Sequence, residues 1–537
     1  MINTNTISLE NNQKFMNSNP EEEKYSMKDH QNSEIQISNT RGGFSDVTDV
    51  NPNEPGINTD YKNLDKENKH RETLKIAVVG NVDSGKSTLT AVLSCPAGTT
   101  DDGRGSLREK VFNFGHEKEN GRTSSIAHEI LGFDEQGQQV IPLKKDILTT
   151  KKKTIWPEIV EGSSKVIQLI DLCGHEKYLR TTMFGLSGLY PQYSMLVVGA
   201  NMGVSRMTKE HIGITMALKI PMFVVVTKLD LAPETVYLDT VNTLSKILKG
   251  SACNLKPILV KDSDDLDKIA EFMPNKTICP LFPISNVTGQ GVTNLKYFLS
   301  KLPYFDTSSA QIDKELSDSQ IDEIIESELV IDSEYNVKGV GLVVGGTITK
   351  GGIVINQILY LGPDKIGQFK AVVVKGIHEN RVEVNNALKG QTVCINIKSL
   401  NKKEQNLKVT SFKKGMLLVG VTQKCLQNTL KKGGPSASLE ALCVREFEAE
   451  VVILHHSTTI QQNYQAVLHC GGIRQSAKVL NIAAAKQDSE LLRTGDKGLI
   501  RFRFMYYPEL LKPGSTIMFR EGRTKGLGFV TKVFSNK

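Results

Sequence analysis

The chain has 537 residues, eight of them cysteine and one tryptophan, and 66 Lys and Arg against 59 Asp and Glu set a net charge of +7. That length exceeds one hydrophobic core and predicts about three or four domains. No apolar run approaches a membrane span and the amino terminus lacks an apolar signal core, so a cytosolic protein without membrane partners is expected; the cysteines, without a Cys-x-x-Cys pair, indicate neither a zinc site nor a disulfide framework.

Residues 1–70 hold 12 acidic and 7 basic side chains among many Asn and Ser, which predicts a disordered acidic tail. The remaining chain carries a surplus of +12, which permits a polyanionic partner but does not prove one, solvated lysines on a large surface being the commoner explanation.

From Leu74 to Thr88 an apolar, β-branched run enters a glycine turn and then a helical pattern in which Leu89 and Leu93 share a face. Gly80, Asn81, Val82, Asp83, Ser84, Gly85, Lys86 and Ser87, followed by Thr88, fit G-x-x-x-x-G-K-[ST]. Such a loop wraps backbone N–H groups around a diphosphate, with Lys86 reaching the outer phosphates and Ser87 a magnesium ion. Next comes a run of lysines, Lys144, Lys145, Lys151, Lys152 and Lys153, expected in a solvated loop.

A second apolar strand, from Lys165, delivers Asp171 to its end with Gly174 three residues later. Asp171 suits a carboxylate that holds magnesium through water, and the Gly174 N–H suits a γ-phosphate contact. A third strand, from Met222, ends in Thr227, Lys228 and Asp230. The Asp230 carboxylate would accept the ring and exocyclic N–H donors of guanine, which adenine lacks, and Lys228 would lie over the base. In Phe282–Gly291 the loop of Ser285, Asn286 and Val287 would offer backbone N–H groups to the guanine oxygen. Phosphate loop, magnesium aspartate and guanine motif in this order predict a GTPase using GTP or GDP and Mg2+.

Residues 292–302 read as the last helix of this α/β unit, set at 71–305, and 303–319 as a linker. Short β-branched runs separated by Gly, Asn and Asp then recur, which predicts one small β-barrel over 320–425 and, after the Lys431–Pro435 break, another over 438–537. The expected fold class is an α/β P-loop GTPase domain followed by two β-barrel domains.

GNVDSGKSTL, HEKENGRTSS, DLCGHEKYLRTTMFGLSG, GVSRMTKEH with VVVTKLD, and the carboxyl-terminal EAEVVILHHSTTI, HCGGIRQ and FREGRTKGLGFVTKV resemble the elongation factor Tu and elongation factor 1-alpha class of translational GTPases, in particular the subfamily of GTP-binding proteins 1 and 2. The resemblance covers residues 75–533. It implies that Thr123 is a magnesium-binding switch threonine ordered by GTP, that His175 helps position the attacking water once ribosomal RNA engages it, and that Asp83 lies near the same centre, where a monovalent cation remains open. It also implies a monomer with ribosome and aminoacyl-tRNA as partners and a link to mRNA decay. Departures from the class are Thr227 in place of an asparagine, which predicts a looser anchor for the guanine loop, and Arg122 in place of an apolar gate. Arg180 fits a basic position near the tRNA 5′ end. Two other readings stay open at this stage: a GTP-dependent scaffold that recruits RNA-decay or signalling partners, and an accessory GTPase of a metabolic enzyme.

Overall fold

The computed structural model describes residues 72–142, 152–261, 265–306, 319–401, 412–413, 415–429, 434–455, 459–484, 491–521 and 524–535. The acidic tail, Lys144, Lys145, Lys151 and linker residues 307–318 lie outside them. Among the described residues no helix is long and apolar enough to cross a membrane.

The first unit is a seven-stranded sheet of β1 (Glu72–Gly80), β2 (Ala127–Phe133), β3 (Lys165–Asp171), β4 (Tyr193–Gly199), β5 (Met222–Thr227), β6 (Lys256–Leu259) and β7 (Ile278–Pro283), in the order β2-β3-β1-β4-β5-β7-β6. Every neighbour pair is parallel except β2 with β3. Both faces are covered by helices, so the central strands are continuous apolar runs rather than alternating ones. In β1 the pleat sends Leu74, Ile76 and Val78 into one core with helices α1 (Lys86–Ser94) and α6 (Val292–Lys301). Ala77 and Val79 enter the opposite core, under α3 (Leu179–Gly188), α4 (Arg206–Ala217) and α5 (Glu234–Lys249). Between β2 and β3 runs α2 (Lys152–Gly162), so Lys152 and Lys153 open a helix instead of sitting in the expected loop. Its Ile155, Trp156, Ile159 and Val160 have the spacing of one buried stripe and pack on Ile130 and Val166.

The second unit comprises β8 (Ile325–Val337), β9 (Gly341–Lys350), β10 (Gly352–Val354), β11 (Ile358–Gly362), β12 (Lys370–Glu379), β13 (Val382–Val384), β14 (Asn386–Leu388), β15 (Thr392–Ser399) and β16 (Leu417–Val421). The ring β11-β16-β8-β9-β15-β12 closes through the β11–β12 pair. After α7 (Gln423–Thr429) and α8 (Gly434–Ala441) come β17 (Cys443–His455), β18 (Gln465–Cys470), β19 (Ile473–Ala484), β20 (Lys497–Phe504), β21 (Glu509–Leu510), β22 (Thr516–Glu521) and β23 (Thr524–Ser535). Here β20-β19-β18-β22-β23-β17 is the ring, closed by β17 with β20 and filled by Phe447, Phe502, Phe504 and Phe519. Closure consumes the sheet edges that an open antiparallel sheet would expose. The two helices between the barrels are a departure from the sequence reading. In α8 only Leu439 is buried, so there is no apolar period to read.

Polar contacts join the units. Lys413 pairs with Glu509 at 2.7 Å and Lys512 with Glu328 at 2.6 Å across the barrel junction. Ser187 Oγ of α3, which donates to the Met183 carbonyl, comes within 3.5 Å of the Gly471 carbonyl. Against the first barrel, Thr73 donates to Glu379, and the Arg381 guanidinium lies 5.2 Å from the Trp156 ring centroid. Lys75, 1% exposed, donates from Nζ to Thr347 Oγ1 at 3.1 Å. It borders a small cleft with Tyr190, Gln192, Tyr304 and Asp306, at the end of β1 away from the phosphate loop.

Burial lowers the Lys75 pKa to about 7, with Asp332 and Glu379 pulling it back up. The docked amine therefore holds fewer protons than a freed one between about pH 7 and 10.5, and docking of the first barrel strengthens as pH rises through that window. Lys75→Met is expected to remove this slope. Melting profiles across the window test it, and a wild-type profile parallel to that of the variant would refute it.

Candidate nucleotide site

The loop after β1 takes a path that few side chains allow. Gly80 has φ 152° and Gly85 φ 84°, and Asp83 between them is at φ 58°. The turn is held from inside: Ser84 Oγ donates to the Asn81 carbonyl at 2.9 Å, and Lys86 Nζ folds back onto the same oxygen at 2.8 Å. Val82 and Thr88 are half-buried within the loop and the first turn of α1. Burial lowers the Lys86 pKa, while Asp171 opposes that shift.

At the start of α1, Ser87 Oγ donates to Asp171 Oδ2 at 2.5 Å and lies 2.8 Å from Thr123 Oγ1. Three positions far apart in the chain thus meet where the sequence placed magnesium. Asp171 is fully buried, and burial pushes its pKa up to about 6 against the pull of Lys86 and Ser87. Its Oδ1 has no hydrogen-bond partner among the described residues. A buried carboxylate oxygen without a donor, beside two hydroxyls, fits a hydrated Mg2+, which takes few protein ligands and completes its octahedron with phosphate oxygens and water. Among the described residues no His, Cys, Asp and Glu cluster suited to a transition metal occurs. Gly174 lies so close that any Cβ there would run into Lys86 Nζ and the Asn81 backbone.

The two serines that follow Thr123 are held by a residue the sequence left without a role. Glu117, 0% exposed in the short helix Gly115–Asn120, accepts from Ser124 N at 2.7 Å, Ser125 N at 2.9 Å and both serine hydroxyls through Oε1. Its Oε2 accepts from Asn113 N and Phe114 N. Burial works to raise its pKa, but the bonds from Ser124, Asn113 and Ser125 outweigh it and hold the carboxylate below its ordinary range. The signal was a buried acid six residues ahead of Thr123, which reads in sequence as one more solvated charge. Cys173, whose pKa burial pushes up to about 12, donates from Sγ to the Ser125 carbonyl and so ties the loop after β3 to the loop before β2.

On the guanine side the loops are interlocked. Thr227 is fully buried and its hydroxyl donates to the Ser84 carbonyl at 2.7 Å, so the anchor expected to be loose is made by threonine. Asp230 accepts from Ser285 Oγ at 2.6 Å through Oδ1, and Lys228 leaves β5 at φ 63°. Ser285 N donates to the Gln290 carbonyl and Val287 N to Ser285 Oγ, which among the described residues leaves the Asn286 N–H for a ligand oxygen.

His175 stands apart from this cluster. It is exposed, its Nδ1 accepts from Lys177 N at 3.0 Å, and its ring meets Tyr178 edge-on. Asp83, Arg122 and Arg180 are also on the surface.

Residues 71–318 match the family model of the elongation factor Tu GTP binding domain. GTP-binding protein 1 of Xenopus laevis is 42% identical over 463 residues, 86% of this chain and 64% of that protein, so the chain spans just under two thirds of that relative. GTP-binding protein 2 of Homo sapiens is 38% identical over 463 residues, 86% of this chain and 69% of that protein. Among solved structures, the GTPase-like domain of S. cerevisiae Ski7 bound to GTP superposes with a TM-score of 0.59 at 13% identity, covering 86% of this chain and 98% of that one. Translation elongation factor SelB from Methanococcus maripaludis, in complex with the GTP analogue GppNHp, gives 0.53 at 18%, covering 87% and 80%. Both structures share the fold of three units described above. The chain belongs to the family of GTP-binding proteins 1 and 2, within the elongation factor Tu class of GTPases.

Proposed function

We propose that this chain is a cytoplasmic GTP-binding and GTP-hydrolysing switch, acting as a monomer, that carries aminoacyl-tRNA to the ribosome in elongation or in ribosome and mRNA quality control. The observation that carries the nucleotide part is the meeting of Ser87, Thr123 and Asp171 beside Lys86 and Gly174. In this reading the phosphate-loop amides and Lys86 bind the phosphates, and Ser87, Thr123 and Asp171 hold Mg2+. The ion, when bound, neutralises charge that develops on the transferred phosphoryl oxygens. Thr123 and the Gly174 N–H belong to different loops, so a γ-phosphate site shared by both would hold them in one arrangement, and hydrolysis would release them together.

The helix that follows the second loop, α3, shares a buried cluster with Met518 of the second barrel, which supports a route from phosphate to barrel docking. Charged tRNA and the ribosome are what the motif resemblance to the elongation factor Tu and elongation factor 1-alpha class implies, and the match of residues 71–318 to the elongation factor Tu GTP binding domain supports that class. The exposed His175 supports slow hydrolysis by the isolated protein, because its ring must turn inward before it can orient a water, and a ribosomal surface is the agent that would turn it. Asp83, exposed beside Lys86, is assigned to the same centre.

Two measurements test this reading. Glu117→Gln removes the charged hub under Thr123, so GTP affinity is expected to fall about tenfold, near 1.4 kcal/mol, with GDP affinity changed by less than about twofold. Equal losses for both nucleotides would show that Glu117 supports the fold rather than the GTP state. For His175→Ala, ribosome-stimulated hydrolysis is expected to fall by about 100-fold or more at unchanged GTP affinity. A wild-type protein that binds GTP tightly but ignores ribosomes carrying tRNA would sink the delivery role and favour a scaffold for RNA-decay partners.

A further inference from the structure

Guanine presents donors on one edge, which Asp230 can accept, and the acceptors O6 and N7 on the other. Two of the backbone N–H groups in the Ser285–Val287 loop are spent inside the protein, and the Asn286 N–H is left for O6. N7 then needs one more donor. Thr227 cannot supply it, because a hydroxyl has a single O–H and this one is given to the Ser84 carbonyl.

The Asn286 side chain sits beside that hydroxyl. A carbon placed on Gly85 would lie 3.5 Å from Thr227 Oγ1 and 3.6 Å from Asn286 Nδ2, so both groups face the same point at the start of α1. Asn286 is 7% exposed. Its backbone is pinned on both sides: the Asn286 carbonyl accepts from Asp101 N at 2.8 Å, and Ser285 Oγ takes the amides of Val287 and Thr288. The carboxamide is thereby fixed in place, and its Nδ2 amine beside Gly85 and Thr227 is the donor that an acceptor on the base can use.

We infer that Asn286 is a specificity-determining residue whose carboxamide donates to N7 of the guanine base. Thr227 ties the guanine loop to the phosphate loop, and Asn286 reads the base. The orientation that serves the base is the one in which the NH2 lies beside Gly85 and Thr227, as it does here.

The inference rests on the guanine-nucleotide reading of the site, and the test separates the two. Full-length protein with Mg2+ is titrated with GDP and with 7-deaza-GDP, which carries a C–H in place of N7. The wild type is expected to prefer GDP by about threefold to tenfold, the range of one hydrogen bond. Asn286→Ala is expected to bind 7-deaza-GDP as the wild type does and to lose the preference for GDP. That pattern carries its own folding control, since a misfolded variant loses both ligands. A variant that keeps the wild-type preference, or weakens both nucleotides equally, overturns the assignment, as does a wild type that binds the two alike. A wild type that binds neither removes the nucleotide reading and this inference with it.

Discussion

A parallel sheet sends the carboxyl ends of its strands to one edge, and the candidate site depends on that constraint. β1, β3, β5 and β7 run parallel within one sheet, so the loops after Gly80, Asp171, Thr227 and Pro283 share one rim although they span some two hundred positions of chain. The phosphate loop sits where the connections diverge, with β3 on one side of β1 and β4 on the other. Remote residues meet there without any long-range design beyond strand order: Ser87 with Asp171 across 84 positions and Thr227 with Ser84 across 143.

The rim is costly to build. Lys86, Asp171 and Glu117 are charged groups taken out of water, and an ion of that kind is tolerated only when bonded or partnered. Glu117 is satisfied within the protein by six donors. Asp171 Oδ1 is not. The contrast separates a carboxylate that organises a loop from one that awaits a ligand. Local rules are broken where ligand chemistry requires it and obeyed elsewhere.

Motifs whose chemistry constrains residue type at fixed spacing were legible in the chain. The phosphate loop, Asp171 with Gly174, and Lys228 with Asp230 needed no neighbours to be recognised, and the barrel strands showed in their β-branched runs. What stayed hidden had no periodic or positional signal. Helix α2 begins in lysines and contains Pro157, and α8 buries a single leucine. Glu117 resembles any surface glutamate until six donors surround it. Thr227 read as a weakened asparagine because its short hydroxyl had no known partner; the Ser84 carbonyl lies within its reach only in three dimensions. For His175 the reverse holds, since the sequence placed it beside the γ-phosphate glycine and the fold turns its ring to solvent.

The hairpin turn at Asn380 and Arg381, both at positive φ, aims a guanidinium at Trp156 on the helix inserted before β3. That indole is the only one in the chain. A cation stacked on an indole face perturbs its emission, and Trp156 belongs to the nucleotide unit while Arg381 belongs to the first barrel. The molecule therefore carries an optical gauge of the distance between the two, readable without a label while nucleotides are exchanged.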